Sequence, residues 1–204
     1  MPEQVTKLKK KQWYPIVAPK QFDSVVLGES LAYEPQQMLG KTLSHSLMNL
    51  INDTKRQNIS IHFKIVEVEG NNAKTSIVGY EIAHSSVKRF VRRASEKMDM
   101  SFNCETADNV FLRVKPLVIT RSDVKGSIAA KMRNSIIAYL VRTIKKMTYE
   151  VFLGELISHK LQSEMRGFLS KIYPVKVCEI RYAGIEERDK PQEAKAEAET
   201  AEQK

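Results

Sequence analysis

Little in this 204-residue sequence offers a foothold for covalent chemistry or for a bound cofactor. Its two cysteines, Cys104 and Cys178, stand alone in expected strands, without a second cysteine or a histidine at metal-ligand spacing, and read as small buried hydrophobes. The eight glycines are dispersed, so no Gly-rich phosphate loop is present. His45, His62, His84 and His159 are equally scattered, and no nucleophile elbow occurs. Asp99, Glu105 and Asp108 are neighbours in sequence but fall at expected strand ends, where acids are ordinarily solvated. No catalytic residue, metal ligand, cofactor or small-molecule substrate is therefore expected. No apolar run reaches the roughly 20 residues that cross a bilayer. Met1-Pro2-Glu3-Gln4 leads into lysines rather than an apolar segment, so neither a membrane partner nor a secretory signal is expected. A reducing cytoplasm fits both the thiols and the missing signal.

What the chain has in excess is positive charge. It carries 33 Lys and Arg against 24 Asp and Glu, a net +9. The balance is uneven, because residues 186–204 hold seven acids and four bases while residues 1–185 carry +12. An excess of that size on a folded unit attracts polyanions, and nucleic acid is the commonest one in the cytoplasm.

Hydrophobic patterning gives the organisation. Residues 1–12 are polar and lysine-rich, an extended basic arm. Residues 186–204 contain too little apolar area to offset the entropy of ordering and read as a disordered acidic tail. Between them, residues 13–185 read as a single α+β RNA-binding domain. Ser60 to Val68 alternates as a half-buried strand, Gly70-Asn71-Asn72 supplies a turn, and Lys74 to Ala83 returns. A second pair runs from Met98 to Thr106 and from Val110 to Thr120 around Ala107-Asp108-Asn109. Earlier strands are expected near Ile16 and from Ser24 to Tyr33, and a last one from Val175 to Ala183. Helices are expected from Thr42 to Asn52, from Ser85 to Lys97, from a cap at Ser122 or Asp123 to Met147, and from Tyr149 to Ile172. Antiparallel strand pairs with inserted helices, and no βαβ rhythm, predict an antiparallel, barrel-like β-sheet with flanking helices.

Three basic segments carry the functional expectation. The helix Ser85 to Lys97 places Lys88, Arg89, Arg92, Arg93 and Lys97 opposite its apolar stripe, with Glu96 the sole acid in the segment. Like charges at that spacing repel, so an anionic partner is expected to compensate. The long helix and its flanks carry Arg121, Lys125, Lys131, Arg133, Arg142, Lys145 and Lys146, with no acid between Lys125 and Met147. Its Ile128, Met132, Ile136, Leu140 and Ile144 ladder reads as core. Third, Lys7, Lys9, Lys10 and Lys11 precede Trp13 and Tyr14. Lysines neutralise phosphate, and an aromatic side chain beside them can stack on an unpaired base. Trp13 is expected to anchor in the core, and Tyr14 to join the lysines at RNA.

These residues also carry a resemblance. The run Lys10-Lys11-Gln12-Trp13-Tyr14-Pro15-Ile16-Val17-Ala18-Pro19, followed by Phe22 and Gly28, resembles the opening of the archaeal and eukaryotic small-subunit ribosomal protein family S-three-a-e, also named S-one-e. Glu34-Pro35, Leu39-Gly40-Lys41, Lys74-Thr75-Ser76-Ile77-Val78-Gly79-Tyr80-Glu81, Val91-Arg92-Arg93 and Met98-Asp99 extend the likeness over residues 7–183. The acidic, alanine-rich tail looks archaeal. The resemblance implies a β-barrel-containing structural protein, not an enzyme. It would bind small-subunit rRNA on the platform, near the 3′ end of the rRNA and the mRNA exit. Its neighbours there would include the platform proteins S-eleven and S-twenty-six-e. The competing reading is a free RNA-binding translation or RNA-processing factor. A nuclease or RNA-modifying enzyme would need clustered acids or a cofactor loop, which the sequence lacks.

Overall fold

The computed structural model describes residues 10–93 and 95–186, so Lys7, Lys9 and the tail from residue 187 lie outside the described part. The chain opens with an antiparallel ribbon of β1 (Gln12–Val17) and β2 (Val26–Ala32). Next come β3 (Thr42–Ser46), α1 (Leu47–Ile51) and the long hairpin of β4 (Ile59–Glu69) and β5 (Asn72–Ile82). Beyond it lie α2 (His84–Phe90), β6 (Lys97–Asp99), β7 (Phe102–Glu105) and β8 (Phe111–Thr120). Three helices, α3 (Gly126–Ile144), α4 (Tyr149–Ile157) and α5 (Lys160–Ser170), precede β9 (Val175–Ile185).

Period-two patterning makes the hairpin. Ile59, Ile61, Phe63 and Ile65 of β4 are buried, and Gly70, at φ +60°, turns the chain back into β5. All strands join one sheet in the order β2-β1-β5-β9-β8-β6, with β4 and β3 on the other edge of β5 and β7 beside β6 on β8. β5 branches along one edge. Its start takes β1 in parallel at Ala73 and Lys74, and its end takes β9 at Gly79, Tyr80 and Glu81. The expected barrel is therefore not formed, because β5 divides its edge between two partners and the sheet stays open. On the core side, α3 buries Ala129, Met132, Ile136, Leu140 and Ile144, one residue per turn, and α5 buries Leu161, Met165 and Leu169 as it packs on β9.

Four helical expectations are corrected. Residues 42–46 form a strand because Ser46 to Thr42 pair with Ser60 to Lys64 of β4, leaving only Leu47–Ile51 helical. Asn52, in the left-handed region, ends that turn. The expected Ser85 to Lys97 helix stops at Phe90 and Val91 is extended. Continuing it would stack four bases at repelling spacing, whereas unwinding frees Met98 to pair with Val118 and become fully buried. Ser95 closes the unwound stretch through its hydroxyl, which accepts from the Arg92 N–H and donates to the Arg92 carbonyl. Tyr149 to Ile172 is broken by His159, at φ +61°, into α4 and α5. The long helix starts after Lys125 without a side-chain cap, since Ser122 bonds the Tyr173 hydroxyl at 2.6 Å and Asp123 accepts from the Val124 N–H at 3.0 Å.

At the β5–β9 ladder Gly79 faces Gly184, and the Tyr182 ring folds over Gly184, so that a Cβ there would lie 2.5 Å from the Tyr182 hydroxyl. The ring is also held by Lys115, whose ammonium lies 4.8 Å from its centroid. Gly184→Val is expected to destabilise the protein by about 1–3 kcal/mol in urea denaturation through overpacking. Gly28→Ala, where a Cβ meets open space, should change stability by less than about 1 kcal/mol.

Candidate nucleic-acid interface

The described basic residues of the expected interface are exposed: Lys10, Lys11, Lys88, Arg89, Arg92, Arg93, Lys97, Arg121, Lys125, Lys131, Arg133, Arg142, Lys145 and Lys146. They do not form one surface. The largest group forms where the unwound connection after α2 meets the end of β8 and the start of α3. There the Thr120 N–H donates to the Glu96 carbonyl and the Glu96 N–H to the Thr120 hydroxyl, each at 3.1 Å. The Arg133 guanidinium reaches the Glu96 carboxylate at 3.8 Å. This stitching sets Glu96 and Lys97 against the end of β8 and Arg133, with Arg121 next in the chain and Arg92 and Arg93 on the connection that leads into Glu96. Lys88 and Arg89 occupy the last turn of α2, where positive charge suits the helix dipole. Asp99 holds part of the charge, bridging Lys97 at 3.3 Å and Arg181 at 3.1 Å.

A second group, Arg142, Lys145 and Lys146, lies at the far end of α3. The helix has 19 residues and so spans roughly 28 Å. That end docks on the β7–β8 turn, where the Ala107 N–H donates to the Met147 carbonyl at 3.0 Å. Lys10 and Lys11 form the third group, at the start of the β1–β2 ribbon.

The aromatic assignment is reversed. Tyr14 is 3% exposed, with its hydroxyl donating to Gln12, whereas Trp13 is 60% exposed. A ring buried to that degree has no face to offer a base, so Tyr14 is a core residue and Trp13 the available aromatic. Alternation within the strand is the signal that separates them: Tyr14, Ile16 and Ala18 point inward, which turns Trp13 out. Tyr33, 48% exposed beside Lys11, carried no signal at the sequence level and joins Trp13 only through the ribbon.

Titratable groups cluster elsewhere, around β9 and the α4–α5 break. Burial pushes the Glu179 carboxyl up to about 7, with Arg166 opposing, and lowers His159, which Arg56 lowers further. Tyr80 is held far above the ordinary phenol range by burial and by Glu179. His159 and Glu179 approach to 3.6 Å, too long for a strong charged hydrogen bond, and burial disfavours charge on both. Burial drives the Cys178 thiol up to about 12 and Cys104 up to about 11, so both are protonated and unreactive near neutrality. Among the described residues no group of three or more His, Cys, Asp or Glu side chains could hold a metal ion, and no helix is long and apolar enough to cross a membrane.

Residues 2–188 match the family described as the Ribosomal S3Ae family. The chain is similar to the small ribosomal subunit protein eS1 of Haloarcula marismortui, at 32% identity over 94% of this chain and 89% of that one. The protein of the same name from Halorubrum lacusprofundi is 34% identical over 94% of this chain and 88% of its own length. That of Nanoarchaeum equitans is 32% identical, with 89% and 92% covered.

The burial of Glu179 sets a pH dependence. Its native pKa lies above the ordinary 4.5, near 7, so in this window the native state retains a proton that the unfolded chain releases. Its contribution is complete below about pH 4.5 and is lost as pH rises through about 7. Glu179→Gln, with the facing His159, Arg166 and Tyr80 unchanged, is expected to lose less stability than the parent between pH 5 and pH 8, read from urea midpoints. Equal losses would mean that Glu179 titrates as an exposed carboxylate.

Proposed function

This chain belongs to the ribosomal S3Ae family, and from that premise we propose that it binds small-subunit rRNA on the platform, near the 3′ end of the rRNA and the mRNA exit. Its role is structural and non-enzymatic, as a constituent of the small ribosomal subunit. Residues 13–185 act as the RNA-binding domain, residues 1–12 as a basic arm and residues 186–204 as an acidic tail. The subunit resides in the cytoplasm, and its platform proteins, S-eleven and S-twenty-six-e among them, are the expected neighbours. The observation that carries the RNA reading is the acid-free stretch from Lys125 to Met147, whose bases Lys131, Arg133, Arg142, Lys145 and Lys146 are all exposed while its apolar ladder is buried. Neighbouring bases within each group on such a surface repel until phosphate approaches, and binding then releases the counterions condensed on the RNA.

Sucrose-gradient sedimentation of cell extract tests the assembly. The protein should stay with small subunits through a moderate salt wash, whereas a free RNA-binding factor would move to the top. For the purified full-length chain, contacts to about six phosphates should give a log-log slope of affinity on salt of roughly −4 to −5. A slope near zero would remove phosphate contacts as the main term. Replacing Arg89, Arg92 and Arg93 together by Gln should weaken rRNA binding and leave the melting temperature almost unchanged, because all three side chains are exposed. Loss of fold with intact binding would make these arginines structural.

A further inference from the structure

We propose that the outer face of the β1–β2 ribbon is a stacking platform for an unpaired base of single-stranded RNA, with Trp13 and Tyr33 supplying ring faces and Lys11 the phosphate contact. The proposal rests on the rRNA reading and specifies the kind of RNA this face takes.

The placement follows from the register. Trp13 pairs with Leu31, and one step further along the ladder sets Lys11 against Tyr33, where the Lys11 ammonium lies 5.2 Å from the Tyr33 ring centroid. Directly opposed residues of an antiparallel pair point to the same side. Lys11, Trp13, Leu31 and Tyr33 therefore share one face, with Trp13 60%, Tyr33 48% and Leu31 38% exposed. The opposite face is already committed, since Tyr14 and Ala32 are each 3% exposed. Among the described residues β1 pairs with β5 only at Ile16 and Val17, so the portion bearing Trp13 has β2 as its ladder partner and projects from the sheet. An aromatic platform with cations at its margin suits a nucleotide, whose base stacks while its phosphate is neutralised. An apolar protein segment fits less well, because covering Tyr33 would desolvate the Lys11 ammonium without an anion in return. The acid on this side, Glu29, stands opposite Pro15, two residues along each strand from the Trp13–Leu31 pair and on the side of that pair away from Lys11.

Trp13 is the sole tryptophan, so its fluorescence reports this site alone. The full-length protein is titrated with a short end-labelled single-stranded oligoribonucleotide, following label anisotropy and Trp13 emission together. Stacking predicts quenching that saturates with the anisotropy, and a smaller change with a blunt RNA duplex. Trp13→Ala should weaken single-strand binding by on the order of 5- to 150-fold, and Trp13→Phe should keep most of the affinity. If Trp13→Ala also lowers the melting temperature, Trp13→Phe and the parent's quenching still decide. Salt-dependent anisotropy with unchanged emission and parental affinity in Trp13→Ala would overturn the platform and leave the rRNA reading standing. Absence of binding to any RNA would overturn that reading first. Trp13→Ala that binds RNA normally but fails to join reconstituted subunits would assign the face to a protein neighbour, which also overturns the proposal.

Discussion

Three residue pairs hold the two halves of this sheet together. Among the described strands, β1 to β5 and β6 to β9 meet through one ladder, Gly79 with Gly184, Tyr80 with Ala183 and Glu81 with Tyr182. Its composition follows from its position. Tyr80 is fully buried and Ala183 is 2% exposed, while on the other side a Cβ on Gly184 would lie 2.5 Å from the Tyr182 hydroxyl, so bulk is accommodated on one side of the junction and crowded on the other. The helices α3, α4 and α5 return the chain to the end of β8, where Val175 pairs with Thr120 and starts β9, and α5 presses its Leu161, Met165 and Leu169 stripe onto β9. A ladder this short contributes few hydrogen bonds of its own. The contiguous apolar core beneath it supplies most of the stability, and the ladder fixes the register in which that core closes.

Where period and burial agreed, the elements were legible in the sequence. The β4–β5 hairpin and the buried ladder of α3 lie close to their expected places, because each is held by its own alternation or its own 3.6-residue stripe. Misreadings fell where a longer-range pairing overrode a local pattern. Leu43, Leu47 and Ile51 are spaced as on a helix, but β4 offers the segment before Leu47 a strand partner that no local window reveals. Val87, Phe90, Val91 and Met98 look helical until β8 claims Met98. The Trp13 and Tyr14 inversion differs in kind. The alternation was present in the sequence, since burying Tyr14, Ile16 and Ala18 on one face of the strand turns Trp13 to the other. That the sheet stays open was not legible at all, since it depends on how β5 shares one edge between β1 and β9.

Function follows the same division. Net charge and the acid-free stretch belong to the sequence, whereas the grouping of the bases belongs to the fold. Unwinding after Phe90 matters here, because the connection it creates, which bears Arg92 and Arg93, is stitched at Glu96 to Thr120 and Arg133. The core's demand for Met98 thus shapes the charged surface.

Separation has a physical consequence of its own. At physiological ionic strength charges are screened over about 8 Å, much less than the roughly 28 Å length of a 19-residue helix. The bases at the two ends of α3 therefore neither repel nor assist each other appreciably, and under the proposed function each group would meet its own phosphates. Affinity from such contacts would add, while the rigid helix between them would fix how far apart two bound RNA segments lie. A flexible chain with the same net charge would bind RNA as tightly at each point and leave that distance free. Holding RNA segments at a set separation requires a packed core under the basic groups, and that requirement explains why a protein with no catalytic centre invests in a nine-stranded sheet and an extensive apolar interior.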